Sequence, residues 1–558
     1  MKNKISLLLI GFLFVISCSE DFITKDFDKA RYNPETFYST KSQALLGVNA
    51  SYSALSNTNC WAQIAAIMPN AMSDDFYGTG FIAGAGGWGA IADMRPVATH
   101  NEVSQLWNGF YQGILSCNVA LENIPKVKAL DVTFTDDLKN SYMGQVYFLR
   151  ALYYYNLFTY FPENRLPLIR TAPKSEADYA RAPAPADSIF TFIETDLKKA
   201  QALLVKGLNN TAGYDKGRAT RGAATALLGK LYLYKEKYQL AADQFKLILP
   251  VVGDATYGSY SLMPSYRDNF TNAKENNSES VFEIQFANVN GATGKGGDGA
   301  SQNETNNYMQ QWSVNRTTWS VVFWNHAIPK FRLNEFESWT ETVAGVPTTV
   351  YDYRAYETFW GIQNGANFTN GANVLNWIQQ GFNKEKIIQS ETGVFGLRKQ
   401  SYDASSELPG GLTNHSDINY RLIRVSDIML LYAECMAKLN PSNVTPTDVT
   451  SAVYWVDQVR TRANKVMTDQ AHLYSARAGV LGQLPTATAL MATKKYTLDQ
   501  LIRHERYVEL YGEGTRFLDL KRWKLGPEAV LYKSGWAGSQ TLTLPVPQTE
   551  VDNNPKNK

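Results

Sequence analysis

The sequence predicts a mainly α-helical protein, in which tetratricopeptide-like helix pairs carry a large irregular, loop-rich region with a few short strands. Apolar residues recur at helical intervals over several long stretches. One shorter stretch has the spacing of a tetratricopeptide repeat. Gly, Asn, Ser and Thr dominate residues 253–419, which indicates loops.

The composition excludes several other classes of protein. The 558 residues include 54 Lys or Arg and 52 Asp or Glu, so the formal charge of +2 does not indicate a nucleic-acid-binding protein. A hydrophobic content of 44% and an aromatic content of 13% exclude a disordered chain. Four Cys exclude a disulfide-stapled scaffold, and we predict that Cys117 and Cys435 are buried in helical patterns.

The N-terminus is typical of an exported lipoprotein. Lys2 and Lys4 precede an apolar run from Ile5 to Ile16, which is shorter than the roughly 20 residues that span a membrane. The run ends before Cys18 in a segment that resembles a lipobox, although Ile16 stands where a small residue is usual. We predict that residues 1–17 are a signal peptide and that Cys18 carries lipid, the predicted membrane anchor. Ordinary secretion is the alternative.

The first half of the chain is predicted to be helical. The spacing of Thr99 and Glu102 is that of a capping box, and apolar residues then recur through Leu121. A second helix is predicted over residues 138–161, where Pro162 ends it, and a third begins at Asp187 and reaches Leu204.

The strongest local signal is one helix pair between residues 225 and 245. Leu228, Gly229, Tyr232, Ala241 and Phe245 fall at the spacing of the tetratricopeptide repeat. The small Gly229 and Ala241 allow two helices to approach closely, while the larger residues fill the groove between them. Such repeats are a packing device and indicate a scaffold for binding.

The second half begins with the loop-rich stretch, where we predict strands at residues 280–287 and 319–324. Helices then resume over residues 425–439 and 452–463, and one long helix is predicted over residues 498–522.

The last predicted helix raises a catalytic alternative. Glu505, Glu509 and Glu513 lie on one face of it, and paired carboxylates occur in glycosidases. That chemistry needs carboxyl groups on both sides of the scissile bond, so we interpret these residues as an ion-pair network with nearby arginines: Arg503, Arg506 and Arg516. The five His are dispersed and predict no metal site. Residues 84–89 satisfy G-x-G-x-x-G without the strand and helix that a dinucleotide site requires, so no cofactor is predicted.

Several C-terminal strings resemble the SusD/RagB family of outer-membrane nutrient-binding lipoproteins. The most specific part is the block from Glu505 to Trp523. Further similar strings are residues 420–434, 459–463, 544–547, 554–555 and, upstream, 73–75. Asp352-Tyr353-Arg354 departs from the family, which usually has Asp-Pro-Arg there. Glu20 and Asp21 resemble the surface-export signal of Bacteroidetes lipoproteins.

The resemblance implies about four tetratricopeptide-like helix pairs in one integrated globular unit, with an N-terminal part over residues 18–250 and a C-terminal part over residues 251–558. It implies a surface lipoprotein of the outer membrane that captures a glycan, or less often a peptide. It also implies delivery to a SusC-like TonB-dependent transporter without catalysis. A surface glycoside hydrolase or a peptidase accessory protein is the alternative.

A glycan site combines flat aromatic rings with planar polar groups, because sugars present C–H faces and hydroxyl edges. Trp88 lies in a Gly-rich stretch with little local core to join, so it is the leading stacking candidate. By analogy with the family, whose site combines an early loop with a middle loop region, Asp74, Asp75 and Trp88 are predicted to meet aromatics of the loop-rich region: Tyr308, Trp312, Trp319 and Trp324. The alternative for each is packing against the helical scaffold.

Overall fold

The computed structural model describes residues 37–75, 87–175, 178–209, 215–286, 328–343, 346–360, 394–397, 399, 416–469, 484–526 and 541–557. Cys18 and the predicted strand at residues 319–324 lie outside these ranges. So do the four aromatics of the predicted site in the loop-rich region: Tyr308, Trp312, Trp319 and Trp324. None of the helices in the described ranges combines the length and hydropathy needed to cross a bilayer.

The described N-terminal part is helical throughout. Its elements are α1 Lys41–Ser53, α2 Ile64–Ala71, α3 Gly87–Ala92, α4 Asn101–Val127, α5 Asp136–Tyr160, α6 Ala186–Leu203, α7 Arg221–Tyr234 and α8 Tyr238–Lys246. Thr135 and Thr220 are the N-caps of α5 and α7, and their hydroxyls accept hydrogen bonds from backbone N–H groups of the first turn. The predicted capping box at Thr99 is wrong, because His100 occupies the N-cap of α4 and makes no side-chain cap.

The C-terminal part alternates short strands with helices. Its elements are β1 Ser280–Ile284, β2 Ile328–Pro329, β3 Ser338–Val343, β4 Val346–Tyr351, α9 Tyr353–Thr358, β5 Phe359–Trp360, β6 Val394–Leu397, β7 Tyr420–Arg424, α10 Val425–Leu439, α11 Ala452–Asp469, α12 Ala487–Lys494, α13 Leu498–Leu510, α14 Arg516–Arg522 and α15 Gln548–Asn553. The strands pair antiparallel, as β1 with β7, β3 with β4, and β6 with both β2 and β5.

The predicted single helix over residues 498–522 is wrong at its centre. Gly512 and Gly514 have φ of +73° and +76°, a backbone conformation that favours glycine and separates α13 from α14. The predicted strand at residues 280–287 forms, but it ends at Ile284.

Four helix pairs build the scaffold within the described residues. Helix α1 packs on α4, α5 on α6, α7 on α8, and α10 on α11, with further contacts linking each pair to the next. The predicted repeat unit is confirmed in α7 and α8, where Gly229 lies directly against the ring of buried Phe245. One large apolar core runs through these pairs and includes Cys117 and Cys435, as predicted.

Candidate functional site

The first two predicted site residues lie just after α2, at the junction with the C-terminal part of the chain. Helix α2 contacts α14, and the Asp74 carboxylate accepts hydrogen bonds from Arg516 Nε at 2.7 Å and Nη2 at 2.9 Å. The Asp74 side chain is 3% exposed. Asp74 is therefore engaged within the protein by an arginine that begins α14. Contact between Asp74 and glycan hydroxyls stays a prediction.

Asp75 is also buried, and its backbone fastens the same junction. Its carbonyl accepts a hydrogen bond from the Tyr511 hydroxyl, and its N–H donates to Ser73 Oγ at 3.1 Å. Asn70 adds two bonds, since its Nδ2 donates to the Gly512 carbonyl at 3.2 Å and its Oδ1 accepts from the Gly514 N–H at 2.9 Å. The end of α2 is thus joined to the glycine turn between α13 and α14.

Trp88 lies in helix α3 rather than in a Gly-rich loop. It is half-buried and packs against the main core, so the prediction that it has little core to join is wrong. Helix α3 packs on α2, which places Trp88 on the helix next to the segment of Asp74 and Asp75. The three early residues therefore lie on, or directly after, two helices that pack together, and their meeting in one glycan site stays a prediction. The first glycines of the G-x-G-x-x-G string lie outside the described residues.

Glu505 and Glu509 of α13 and Glu513 of the turn that follows form the predicted ion-pair network, but the predicted arginine partners are wrong. Buried Glu509 binds Arg354 at 3.1 Å, Arg424 at 2.6 Å, and Arg462. Glu505 pairs with Arg354 at 2.5 Å and with Arg460 at 2.8 Å. The predicted partners lie elsewhere: Arg506 pairs with Asp427 and Asp519, Arg516 with Asp74, and Arg503 covers the Trp523 ring.

Glu513 extends this network toward the loop-rich region. It receives Arg424 Nε at 2.7 Å and Lys399 Nζ at 2.8 Å. Burial lowers the pKa of Lys399 to about 8, against the opposing effect of Glu513. Arg424, the last residue of β7, also reaches Glu279 just before β1, so the network joins the paired strands β1 and β7 to helix α13.

Arg354 is a central member of the network that sequence reasoning missed. Its side chain is 0% exposed and binds Asp352 Oδ2 at 2.7 Å in addition to Glu505 and Glu509. The only signal was the string Asp352-Tyr353-Arg354. It keeps the arginine of the family's usual Asp-Pro-Arg but has Tyr353 in place of the proline. Its partners Glu505 and Glu509 lie 151 and 155 positions away along the chain, where no local pattern indicates them.

The electrostatic surroundings of Glu509 disfavour a role as general acid. Burial raises the pKa of its carboxyl, but Arg462, Arg424 and Arg354 outweigh burial and hold the pKa far below its usual range. A general acid in a glycosidase needs a raised pKa. Each of the three carboxylates is also occupied by buried cations, so they stabilise the packing of the C-terminal helices. Within the described ranges, no group of three or more potential metal ligands is placed around a common centre.

The comparison with protein families decides the identity of this helical scaffold. A model described as the SusD family matches residues 254–558, and a second, described as starch-binding associating with outer membrane, matches residues 88–233. The chain belongs to the SusD family. The block from Glu505 to Trp523, which suggested this family in the sequence, carries the buried carboxylate network of α13 and the Arg516 contact to Asp74.

Relatives of this SusD-family protein match it along its length. SusD-like protein P25 of Formosa agariphila is 24% identical, over 99% of this chain and 97% of that protein. A laminarin-binding SusD-like protein of known structure has a TM-score of 0.68 at 24% identity, covering 93% of this chain and 98% of its own. Surface glycan-binding protein A from Bacteroides thetaiotaomicron, solved with laminarihexaose, has a TM-score of 0.67 at 20% identity, covering 93% and 99%. These structural likenesses establish the fold.

Proposed function

We propose that this SusD-family protein is a non-catalytic, cell-surface glycan-binding lipoprotein that captures an oligosaccharide or polysaccharide and delivers it to a TonB-dependent transporter. The observation that carries the proposal is the family membership of the whole helical scaffold, together with two structural relatives that bind laminarin or laminarihexaose.

The early region around α2 and α3 is the proposed glycan site. Trp88 is half-buried, so part of its indole remains accessible for stacking on a sugar ring. In this proposal the segment that contains Asp74 and Asp75 lies beside α3 and forms part of the glycan site. The second wall comes from aromatics of the loop-rich region, which lie outside the described residues: Tyr308, Trp312, Trp319 and Trp324.

The absence of catalysis in this proposal is supported by the ion pairs that hold the carboxylates in and just after α13. Glu505, Glu509 and Glu513 were the residues that suggested a glycoside hydrolase, and all three are held by buried arginines or lysine. Separating such a carboxylate from its partners would leave buried charges unpaired, which is strongly unfavourable in free energy. A hydrolase would need its acid and base elsewhere.

Anchoring and transport complete the proposal. Cys18 follows a signal-like apolar run, and lipid on its thiol would hold the mature protein at the outer membrane, facing the exterior. A SusC-like TonB-dependent barrel is the proposed partner that receives the glycan.

Purification in mild detergent through a C-terminal tag tests the transporter step. We expect a much larger TonB-dependent outer-membrane protein to co-purify at a fixed ratio, and Cys18→Ala to reduce its recovery by removing the anchor. Recovery of a lone monomer under conditions that keep related complexes intact would contradict delivery to a transporter.

A further inference from the structure

A polar groove of about 360 Å³ lies on the helical scaffold, and its lining includes none of Asp74, Asp75 and Trp88. Helix α1 forms one wall, the turn at residues 215–218 forms another, and the end of β1 forms the floor. Its volume falls in the range of about 300 to 1,000 Å³ that small-ligand pockets occupy. Planar polar side chains dominate its rim: Asn49, Asp215, Arg218, Glu283 and Gln285.

Arg218 is fixed from three directions within this groove. Its Nη2 donates to Asn49 Oδ1 at 2.7 Å, its Nε faces Asp215 Oδ2 at 3.4 Å, and its guanidinium lies 5.0 Å from the centroid of the Tyr52 ring. Among the described residues no acceptor is bonded to Nη1, which leaves its two hydrogens for a ligand. The side chain is 18% exposed, so part of it is accessible to a ligand.

The walls of the groove are held in place before any ligand arrives. The Tyr52 hydroxyl accepts the Ala219 N–H at 2.8 Å and donates to Gln145 Oε1 at 3.1 Å, which ties the turn to α1 and α5. Gly217, at φ +85°, lies so close to the Gln285 side chain that a Cβ would overlap it. A rigid site of this kind loses little entropy when it binds.

Gln285 is itself locked by a reciprocal amide pair. Its Nε2 donates to Asn276 Oδ1 at 3.0 Å, and its Oε1 accepts from Asn276 Nδ2 at 2.9 Å. The floor of the groove therefore cannot close by rotation of this side chain without breaking both bonds.

The charge of the lining selects against strongly ionic ligands. Lys216 and Arg218 carry two positive charges and Asp215 and Glu283 carry two negative charges, so the lining has no net formal charge. Fixed arginine, asparagine and aspartate groups around a neutral groove match the alternating donors and acceptors of sugar hydroxyls. We propose that this groove is a second sugar-binding site, which takes one neutral sugar ring through Asn49, Asp215 and Arg218. The choice of a sugar as the ligand rests on the proposed function, but the groove is a separate site that Trp88 does not line.

Isothermal titration calorimetry of the mature protein against a panel of neutral hexasaccharides, including laminarihexaose and xylohexaose, tests the proposal. The test variants are Arg218→Gln, which keeps a planar amide, and Asp215→Asn, whose side chain is 72% exposed and carries no core packing. The matched control is Arg181→Gln, because Arg181 pairs with Asp178 at the same sequence spacing on the open surface. Thermal melting of each variant shows that it is folded.

For the hexasaccharide that binds, we expect two sites per wild-type chain, with the affinity of one of them reduced about tenfold or lost in both test variants and unchanged in the control. Folded test variants that bind with wild-type stoichiometry and affinity would overturn the groove proposal while leaving glycan capture intact. A wild-type protein that binds no member of the panel would overturn both.

Discussion

Arg516 holds Asp74 by two hydrogen bonds of 2.7 and 2.9 Å between residues 442 positions apart. The pair joins the end of α2 to the start of α14, so an early residue that the sequence suggested for ligand binding has a partner in the last helices of the fold. The same junction includes the hydrogen bonds of Asn70 to Gly512 and Gly514.

The buried Asp74 pair should contribute to stability. We expect Asp74→Ala to lower the free energy of unfolding by about 3 kcal/mol, since it leaves the arginine charge buried without its carboxylate. Denaturant unfolding measures this. Asp178→Ala, which removes the exposed pair with Arg181, should lower the free energy of unfolding much less. If Asp74→Ala kept wild-type stability and lost glycan affinity, ligand contact rather than the junction would be its role.

The contact between Gly229 and Phe245 predicts a steric effect in the helix pair of α7 and α8. A Cβ at residue 229 would lie 2.6 Å from Phe245 Cδ1, so Gly229→Leu should destabilise the fold by about 3 kcal/mol through overpacking. A double-mutant cycle with Phe245→Leu should show that the smaller aliphatic side chain relieves part of the loss. Additive effects measured by thermal unfolding would contradict direct contact.

Glu337 predicts how stability depends on acid. Burial raises its pKa, but His504 and Arg460 outweigh burial and lower the pKa to about 2, below the unfolded value of about 4.3. Its stabilising contribution is therefore complete above about pH 4.3 and is lost as the pH falls toward 2. Glu337→Gln should lose about 3 kcal/mol at pH 7, and its difference from wild type should shrink as the pH falls toward 2.

Urea unfolding of both proteins between pH 2 and 7 measures this difference. Glu236→Gln is the control, because Glu236 and its partner Lys524 are exposed and should contribute little at any pH. A Glu337→Gln difference that stayed constant across this range would contradict the assignment of the acid dependence to Glu337.

Local patterns predicted the scaffold well because they record which face of a helix is buried. Both bounds of α10, Val425 and Leu439, were correct, and the repeat spacing placed Gly229 against Phe245. The break at Gly512 was missed, since the apolar period continues across it while the backbone takes a positive φ. The end of α13 is therefore set by the backbone conformation of Gly512 and Gly514, which the apolar spacing does not reveal.

The site was harder to predict for a different reason. Trp88 was expected in a loop because glycines surround it, yet Gly87 and Gly89 on either side of it belong to α3, which packs on α2. The α13 network was expected from three aligned glutamates, but Arg354, Arg424 and Arg462 come from distant segments. Partner choice in a buried network depends on tertiary contacts that spacing along one helix does not contain.

Trp88 should be a major contributor to glycan affinity. Truncating a stacking residue of this kind typically costs about 2 kcal/mol or more, so Trp88→Ala should weaken binding roughly thirtyfold. Some loss of melting temperature is also expected, because the indole packs on the core. Tyr179→Ala, which removes an aromatic side chain from a residue that is 63% exposed, should bind like wild type. A folded Trp88→Ala variant with unchanged affinity would place the stacking platform elsewhere.

The central claim is that the protein binds glycan without cleaving it. One experiment tests this most directly: incubation of the purified mature protein with the polysaccharide that it binds best, with bound glycan and newly formed reducing ends measured in the same samples. We predict saturable binding and a reducing-end signal equal to that of polysaccharide alone. Reducing ends that increase with time and with protein concentration would contradict it.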